Sequence, residues 1–501
     1  MLGYRVSLCL RVGFALCLLL PASLPAASAT VGAHRRPQSV SSRPRTLDQA
    51  LAVAARRPPA TPSGVSIVIA DLETGQAVFE RNPQQPETIA SVTKLFSTAA
   101  AIHYLGPDYR FKTTLWRRGE IQDGTLFGSL LVVGRGDPNI SGRFYDDDYY
   151  AVFDRWAEGL VKAGIVRVAG DLILNTSFFD SVGRHPEWPE GQEARWYQAP
   201  TSALSYNDNV IVASVRPGPK PGGRAIVSIE PQTDILRPIS WTRTVRRGRA
   251  HVAVGRPFGS GDVTVSGIVP SHGVWWSAPV AIDDPPAFFG SALRSRMHKA
   301  GISTVGQIVE KAVPPDNSWV LVAETQSELL PTLAVTNKRS QGFYAEQVFK
   351  TLAAEKTGVG SWPNALAVQK EFLAAIGLEP SRYDIHDGSG LSPQNRVAAE
   401  DVVRFLRAMN AQAYGTQWKE TLAVSCEPEG TLRHRLCDSL TRGRVVGKTG
   451  SILNVSTLVG YLSAASGKTY VFAILLNGPW VWDTNGHAYQ DRVLRALARF
   501  G

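Results

Sequence analysis

Between roughly residue 110 and residue 325 this chain changes character, and that change limits every fold it can adopt. On either side, apolar residues recur at helical spacing. Between them lie short alternating segments punctuated by Gly and Pro, among them residues 128–133, 168–174, 225–229 and 263–268. Alternation with period two over a few residues marks half-buried strands. One helical interlude, about residues 149 to 163, interrupts them. A mainly β stretch set between two helical regions predicts an insertion of one or two units, around which the flanking parts close into a single domain. The expected boundaries are 30–110 and 326–501 for the flanking parts and 111–325 for the insert.

The flanks carry both helix and strand signals. Residues 65–70 read Val-Ser-Ile-Val-Ile-Ala, turn formers occupy 71–75, and Ala77-Val78-Phe79 follows, which together predict a hairpin. After Pro86, Val92, Leu95, Phe96, Ala99 and Ile102 recur at spacings of three and four until Gly106, so a helix is expected there. Phe343, Val348, Phe349 and Leu352 mark a second helix, and Val402, Phe405 and Leu406 a third. Residues 455–462 and 469–476 read as sheet strands joined by a turn at Ser466-Gly467, and an amphipathic helix over 488–500 caps that sheet. The fold class expected is α/β (α+β), with a central antiparallel sheet flanked by helices.

Arg5 and Arg11, an apolar run from Val12 to Leu20, a break at Pro21 and the triplet Ala27-Ser28-Ala29 follow the order of a cleavable export signal over residues 1–29. The apolar run is shorter than the roughly 20 residues that span a bilayer. No other stretch approaches it, so at most peripheral membrane contact is expected, in the periplasm or cell envelope. Residues 31–45, rich in Arg, Ser and Pro, read as a leader. Cleavage removes two of the four cysteines and leaves Cys426 and Cys437, close in sequence, as a candidate disulfide. The chain has 53 basic and 43 acidic residues, net +10; without Arg5 and Arg11 the balance is 51 to 43, or +8. No dense basic run accompanies a nucleic-acid motif, so the charge fits solubility or an anionic envelope, with no nucleic acid as partner. The nine histidines show no His-Glu-x-x-His spacing, and neither metal nor cofactor is expected.

Ser91 and Lys94 stand one helical turn apart where the helix after Pro86 begins. A serine hydroxyl needs a base to take its proton, and a lysine held neutral by its surroundings can serve. The helix start also offers free N–H groups to a developing oxyanion. Lys448-Thr449-Gly450 supplies a charge, a hydroxyl and a residue without side chain ahead of the 455–462 strand, as a cationic sheet edge for a carboxylate would require. Lys356-Thr357-Gly358 spells the same tripeptide but ends a helical run, where Gly is a stop signal. The tryptophans at 275, 276, 480 and 482 are read as packing residues rather than sugar platforms.

Ser-x-x-Lys followed far downstream by Lys-Thr-Gly is the signature of penicillin-binding proteins and serine β-lactamases. Ser91-Val-Thr-Lys94, Gly134-Arg-Gly-Asp-Pro138, Pro200 through Asn209, Asn337 through Glu346, Asp387-Gly-Ser-Gly-Leu-Ser392, Glu429-Gly-Thr-Leu432 and Gly447-Lys-Thr-Gly-Ser451 together resemble the class C low-molecular-mass penicillin-binding proteins, the D-alanyl-D-alanine carboxypeptidase/endopeptidase family. The resemblance spans nearly the whole chain after the signal. It implies a penicillin-binding transpeptidase-like catalytic domain acting on peptidoglycan stem peptides, with β-lactams as covalent inhibitors. By the same resemblance Ser91 is the nucleophile, Lys94 its base, and Ser340 the relay that protonates the leaving amine. Lys448, Thr449, Gly450 and Ser451 bind substrate, with the N–H groups of Ser91 and Ser451 as oxyanion hole. One position departs from the pattern. The family's Ser-x-Asn motif begins at Ser340, yet its third residue here is Gly342. The literal Ser205-Tyr206-Asn207 lies in the insert. Loss of that amide leaves a weakly active or non-catalytic peptidoglycan-binding homologue as the alternative.

Overall fold

Residues Val65–Asp71 are buried along almost their entire length, and alternation explains how. Val65, Ile67 and Ile69 enter one core while Val68 and Ala70 enter another. Thr469–Asn477 behaves the same way: Tyr470, Phe472, Ile474 and Leu476 join the first core, and Val471, Ala473 and Leu475 the second. A strand covered on both faces reads as a continuous apolar run, as both segments do. The structure is a computed structural model that describes residues 44–273 and 275–501. The expected export signal at 1–29 and most of the leader lie outside the described residues.

The central sheet runs in the order Ala77–Arg81, Val65–Asp71, Thr469–Asn477, Val455–Ser463, Val445–Ile452 and Ala423–Val424, every neighbour antiparallel. Helices Leu47–Ala54 and Asp483–Phe500 cover one face, and the other packs against Lys94–Leu105 and Ala399–Asn410. The expected hairpin, nucleophile helix and closing strands are all present. The last helix starts five residues earlier than its apolar pattern, where Asn485 Oδ1 accepts from the Trp482 backbone N–H at 2.8 Å.

Arg110–Gln122 pairs with Val320–Glu328 over the register Arg110↔Glu328 to Arg117↔Val320, so the chain leaves the central sheet and returns beside its point of departure. Between these strands lies a separate core containing Leu115, Trp156, Phe288 and Phe289. This stretch holds one helix that the pattern did not reveal, Pro285–Lys299. Its buried residues Phe288, Phe289, Ala292, Leu293 and Met297 do recur at three-four spacing and pack into this core, but Pro285, Pro286 and Gly290 read as the turn punctuation of a strand-rich stretch. The local signal was its cap: Asp284 accepts from the Ala287 N–H, and proline occupies the first turn. Gly358 (φ +89°) ends helix Gly342–Thr357, so Lys356-Thr357-Gly358 is a helix terminus, as its context indicated. Trp275, Trp480 and Trp482 are exposed, contrary to the packing expected of them, because each sits in a loop. Among the described residues no helix is long and apolar enough to cross a membrane.

Cys426 and Cys437 are joined, with Cα atoms 5.0 Å apart. The bond closes a short loop that includes Thr431. By the loop-closure relation such a crosslink stabilises by about 2 to 4 kcal/mol. The Cys426→Ser/Cys437→Ser double variant is therefore expected to lose stability of that order in a urea titration, with the same far-UV circular dichroism at zero denaturant.

Candidate active site

The turn before the nucleophile helix is built by a single 3₁₀ turn, Ala90–Thr93, running directly into the α-helix Lys94–Leu105. Ser91 thereby stands at the helix entrance, and Lys94 returns to the same face three residues later. The Lys94 Nζ donates to Ser91 Oγ at 3.0 Å and to the Ser389 carbonyl. Lys94 is 2% exposed. Burial lowers its pKa to about 8, against the opposing pull of the Asp387 and Glu346 carboxylates.

The Ser389 carbonyl is the partner that side-chain reasoning missed. Its turn is folded around Asp387, whose carboxylate accepts from the backbone N–H groups of Gly390 (2.7 Å), Leu391 (3.0 Å) and Ser392 (2.8 Å) and from Asn395 Nδ2 (3.0 Å). Trp188, from the stretch between strands Arg110–Gln122 and Val320–Glu328, donates its indole N–H to the same carboxylate at 3.0 Å. Glu346 holds the preceding residues, accepting from the N–H groups of Gly388 (3.0 Å) and Ser389 (2.8 Å) and from Trp362 Nε1 (2.8 Å). Burial, then the neighbouring Asp387 charge, pushes the Glu346 carboxyl above the usual range. The acidic Gly-rich stretch 387–392 is thus a structural turn, and it also aims a carbonyl at the lysine.

Opposite Ser91 lies Val445–Ile452. Its outer neighbour, Ala423–Val424, pairs only with Val446 and Gly447, so the edge from Lys448 onward is open. Gly450 lets that edge approach the nucleophile turn. A Cβ there would fall 2.6 Å from the Ile89 carbonyl oxygen and 3.1 Å from the Ser91 nitrogen. The close approach that requires glycine is therefore between protein segments, not with a substrate backbone. Lys448 lies beneath the wall, fully buried, and donates to Ser340 Oγ at 2.7 Å and to the Thr449 carbonyl at 2.8 Å. Burial, then the Lys94 charge, lowers its pKa well below the ordinary value. Thr449 Oγ1 is 2.9 Å from Thr431 Oγ1 in the disulfide loop, and Ser451 Oγ donates to Asp483 at 2.7 Å.

Ser91, Lys94, Ser340, Gly342, Thr449 and Ser451 line one cleft of about 1590 Å³, with Arg339 and Arg433 among its cations. Lys448 and Gly450 form the layer behind it. Gly342 is the first residue of its helix, and a Cβ there would meet only the Tyr197 carbonyl oxygen at 3.5 Å and Ser389 Cβ at 3.8 Å, both ordinary contacts. Among the described residues no asparagine lines the cleft to replace the missing amide. Asn337 is buried and donates to Thr98 Oγ1 and Thr421 Oγ1, while Asn454 sits in the turn after the Lys-Thr-Gly strand. The side-chain amide that does line the cleft, among the described residues, is Gln192, whose Oε1 accepts from the Tyr197 hydroxyl at 2.7 Å.

A serine beside a buried lysine, facing an open strand edge with hydroxyls, defines a class of acyl-transferring serine hydrolases. The model of the D-Ala-D-Ala carboxypeptidase 3 (S13) family matches residues 47–500, and the chain belongs to that family. It is 30% identical over 440 residues to a D-alanyl-D-alanine carboxypeptidase of Actinomadura sp. (strain R39), covering 84% of this chain and 79% of the relative. Identity is 26% over 432 residues to D-alanyl-D-alanine carboxypeptidase DacB of Haemophilus influenzae, covering 83% and 86%. The crystal structure of penicillin binding protein 4 from Haemophilus influenzae superposes with a TM-score of 0.76 at 23% identity, over 89% of this chain and 98% of that one, and shows the shared fold. The penicillin-binding fold class expected from the sequence is the one observed.

The lysine's environment makes a signed prediction. Only neutral Lys94 can take a proton, and with a pKa of about 8 about one tenth of it is neutral at pH 7. Acylation by a penicillin is expected to rise about tenfold per pH unit and to level off above about pH 8. Stopped-flow or quenched mass measurements of the second-order constant across pH provide the check.

Proposed function

We propose that this protein is a serine-type D,D-carboxypeptidase that hydrolyses the terminal D-Ala-D-Ala bond of peptidoglycan stem peptides through an acyl-enzyme on Ser91. The observation that carries the reading is the 3.0 Å contact between Ser91 Oγ and a lysine amine buried enough to lose its proton near neutral pH. In the neutral state the amine accepts the Ser91 proton as Oγ adds to the carbonyl of the penultimate D-Ala. The backbone N–H groups of Ser91 and Ser451 receive the oxyanion. Ser340, held by Lys448, gives its hydroxyl proton to the departing amine as the C–N bond breaks and is replenished with the proton that Lys94 took, so that D-Ala leaves and Lys94 is neutral again. Water then adds to the ester as Lys94 takes its proton, and that proton goes to Ser91 Oγ as the acyl C–O bond breaks, which releases the acid and restores the hydroxyl.

The terminal carboxylate falls to Thr449 and Ser451, with Lys448 in the layer beneath them holding Ser340 and the Thr449 carbonyl. The same serine takes a β-lactam as a covalent inhibitor. Residues 111–325 act as an inserted unit, and the protein works in the periplasm or cell envelope. The cleft volume exceeds the roughly 300 to 1,000 Å³ of a site for one small ligand, which favours D,D-endopeptidase action on branched cross-links as a second activity.

Release of D-Ala from a D-Ala-D-Ala-terminated peptide tests the reading. Wild type is expected to release it and Ser91→Ala is not; equal release by both would refute the assignment, and none from either would favour a peptidoglycan-binding role. Because space exists at position 342, Gly342→Asn is expected to fold and to raise turnover by roughly 10-fold to 100-fold, the scale of one restored amide contact. Unchanged or lower turnover would show that the site does not need that amide.

A further inference from the structure

Ser340 joins two helices, Leu329–Lys338 and Gly342–Thr357, in a left-handed conformation, φ +57°, that non-glycine residues seldom adopt. On the cleft side its hydroxyl accepts from Lys448. On the far side the next residue is held as well. Gln341 Nε2 donates to Asp208 Oδ2 at 3.0 Å, and the same oxygen accepts from Arg143 Nη2 at 2.5 Å. Asp208 and Arg143 both belong to the insert.

Asp208 is itself rigidly presented. It is the middle of three consecutive left-handed residues, Asn207 (φ +50°), Asp208 (φ +56°) and Asn209 (φ +53°). Asn209 Nδ2 donates to the Pro200 carbonyl at 2.7 Å and to Ser205 Oγ at 3.0 Å, and Asn207 Nδ2 to the Val210 carbonyl at 2.8 Å. The turn containing the literal Ser205-Tyr206-Asn207 is thus consumed in holding Asp208. A cavity of about 370 Å³ is lined by this turn, and Trp196 and Arg339 line both it and the main cleft. Strained backbone on both sides of one hydrogen bond is the pattern of a site that fixes geometry for chemistry.

We propose that Asp208 of the insert is a positioning residue for Ser340, acting through Gln341. The insert thereby sets the hydroxyl that serves the leaving group without touching substrate. This inference rests on the reading of Ser91 and Ser340 given above.

The test compares Gln341→Met, which keeps length but cannot donate, with Gln341→Lys, which restores a donor toward Asp208. Each is reacted with benzylpenicillin beside wild type and Ser91→Ala, recording the acylation constant, final stoichiometry and melting temperature. Expected are acylation about tenfold slower in Gln341→Met with full final stoichiometry and an unchanged melting temperature, and recovery to within about threefold of wild type in Gln341→Lys. Wild-type acylation by Gln341→Met would overturn the proposal, as would a loss that Gln341→Lys does not recover. Asp208→Gly, which removes the acceptor and tolerates the left-handed conformation, approaches the contact from the other side: slower acylation supports the proposal, an unchanged constant overturns it, and this arm stands if Gln341→Met does not fold. Absence of a Ser91-dependent adduct in wild type would instead overturn the proposed function, and this inference with it.

Discussion

The burial of one amine organises this molecule. Lys94 has lost nearly all contact with water, and its remaining partners are Ser91 Oγ and the Ser389 carbonyl. A buried ammonium is disfavoured unless it is paired, so the surroundings must either supply charge or accept a neutral amine. Here they do some of each. The Asp387 and Glu346 carboxylates oppose the effect of burial, and the balance falls at about 8, close enough to neutrality for the amine to cycle its proton. Both carboxylates are in turn committed to backbone N–H groups of the turn that presents Ser389. The lysine and the turn hold each other.

The second requirement is an approach between segments far apart in sequence. The nucleophile turn near residue 90 meets the strand edge near residue 450 because Gly450 has no Cβ to collide with Ile89. The sheet order makes this possible, since Val65–Asp71 pairs directly with Thr469–Asn477 and brings the two flanks together around the intervening stretch. That stretch is not a passenger. It sends Trp188 to the Asp387 turn and Asp208 to Gln341, so it braces the walls on which Lys94 and Ser340 depend.

How far the sequence was legible follows from which features carry a local signature. Strands buried on both faces, such as Val65–Asp71, appear as short apolar runs, and the helix behind Ser91 appears as three-four spacing. The two Lys-Thr-Gly tripeptides were separable because one follows a helical pattern and the other precedes a strand. Helix Pro285–Lys299 was hidden because Pro285, Pro286 and Gly290 read as turn signals, although its buried residues keep three-four spacing. Ser389 contributes a backbone carbonyl, which no residue type announces. The resemblance supplied Ser340 and the departure at Gly342, but the contact between Gln341 and the insert joins residues 133 positions apart and needed the fold.

Gly342 concentrates what is unusual here. Space for a side chain exists beside Ser389, and the chain leaves it empty while keeping the two lysines, both serines and the threonine around it. In the proposed function Ser91, with Lys94 as base, still forms the acyl-enzyme in that site. The most direct measurement is proteolytic peptide mapping of the wild-type protein after reaction with benzylpenicillin. The adduct is predicted on the peptide that contains Ser91, at one per molecule. An adduct carried instead on Ser340, or on a peptide from outside the cleft, would contradict it.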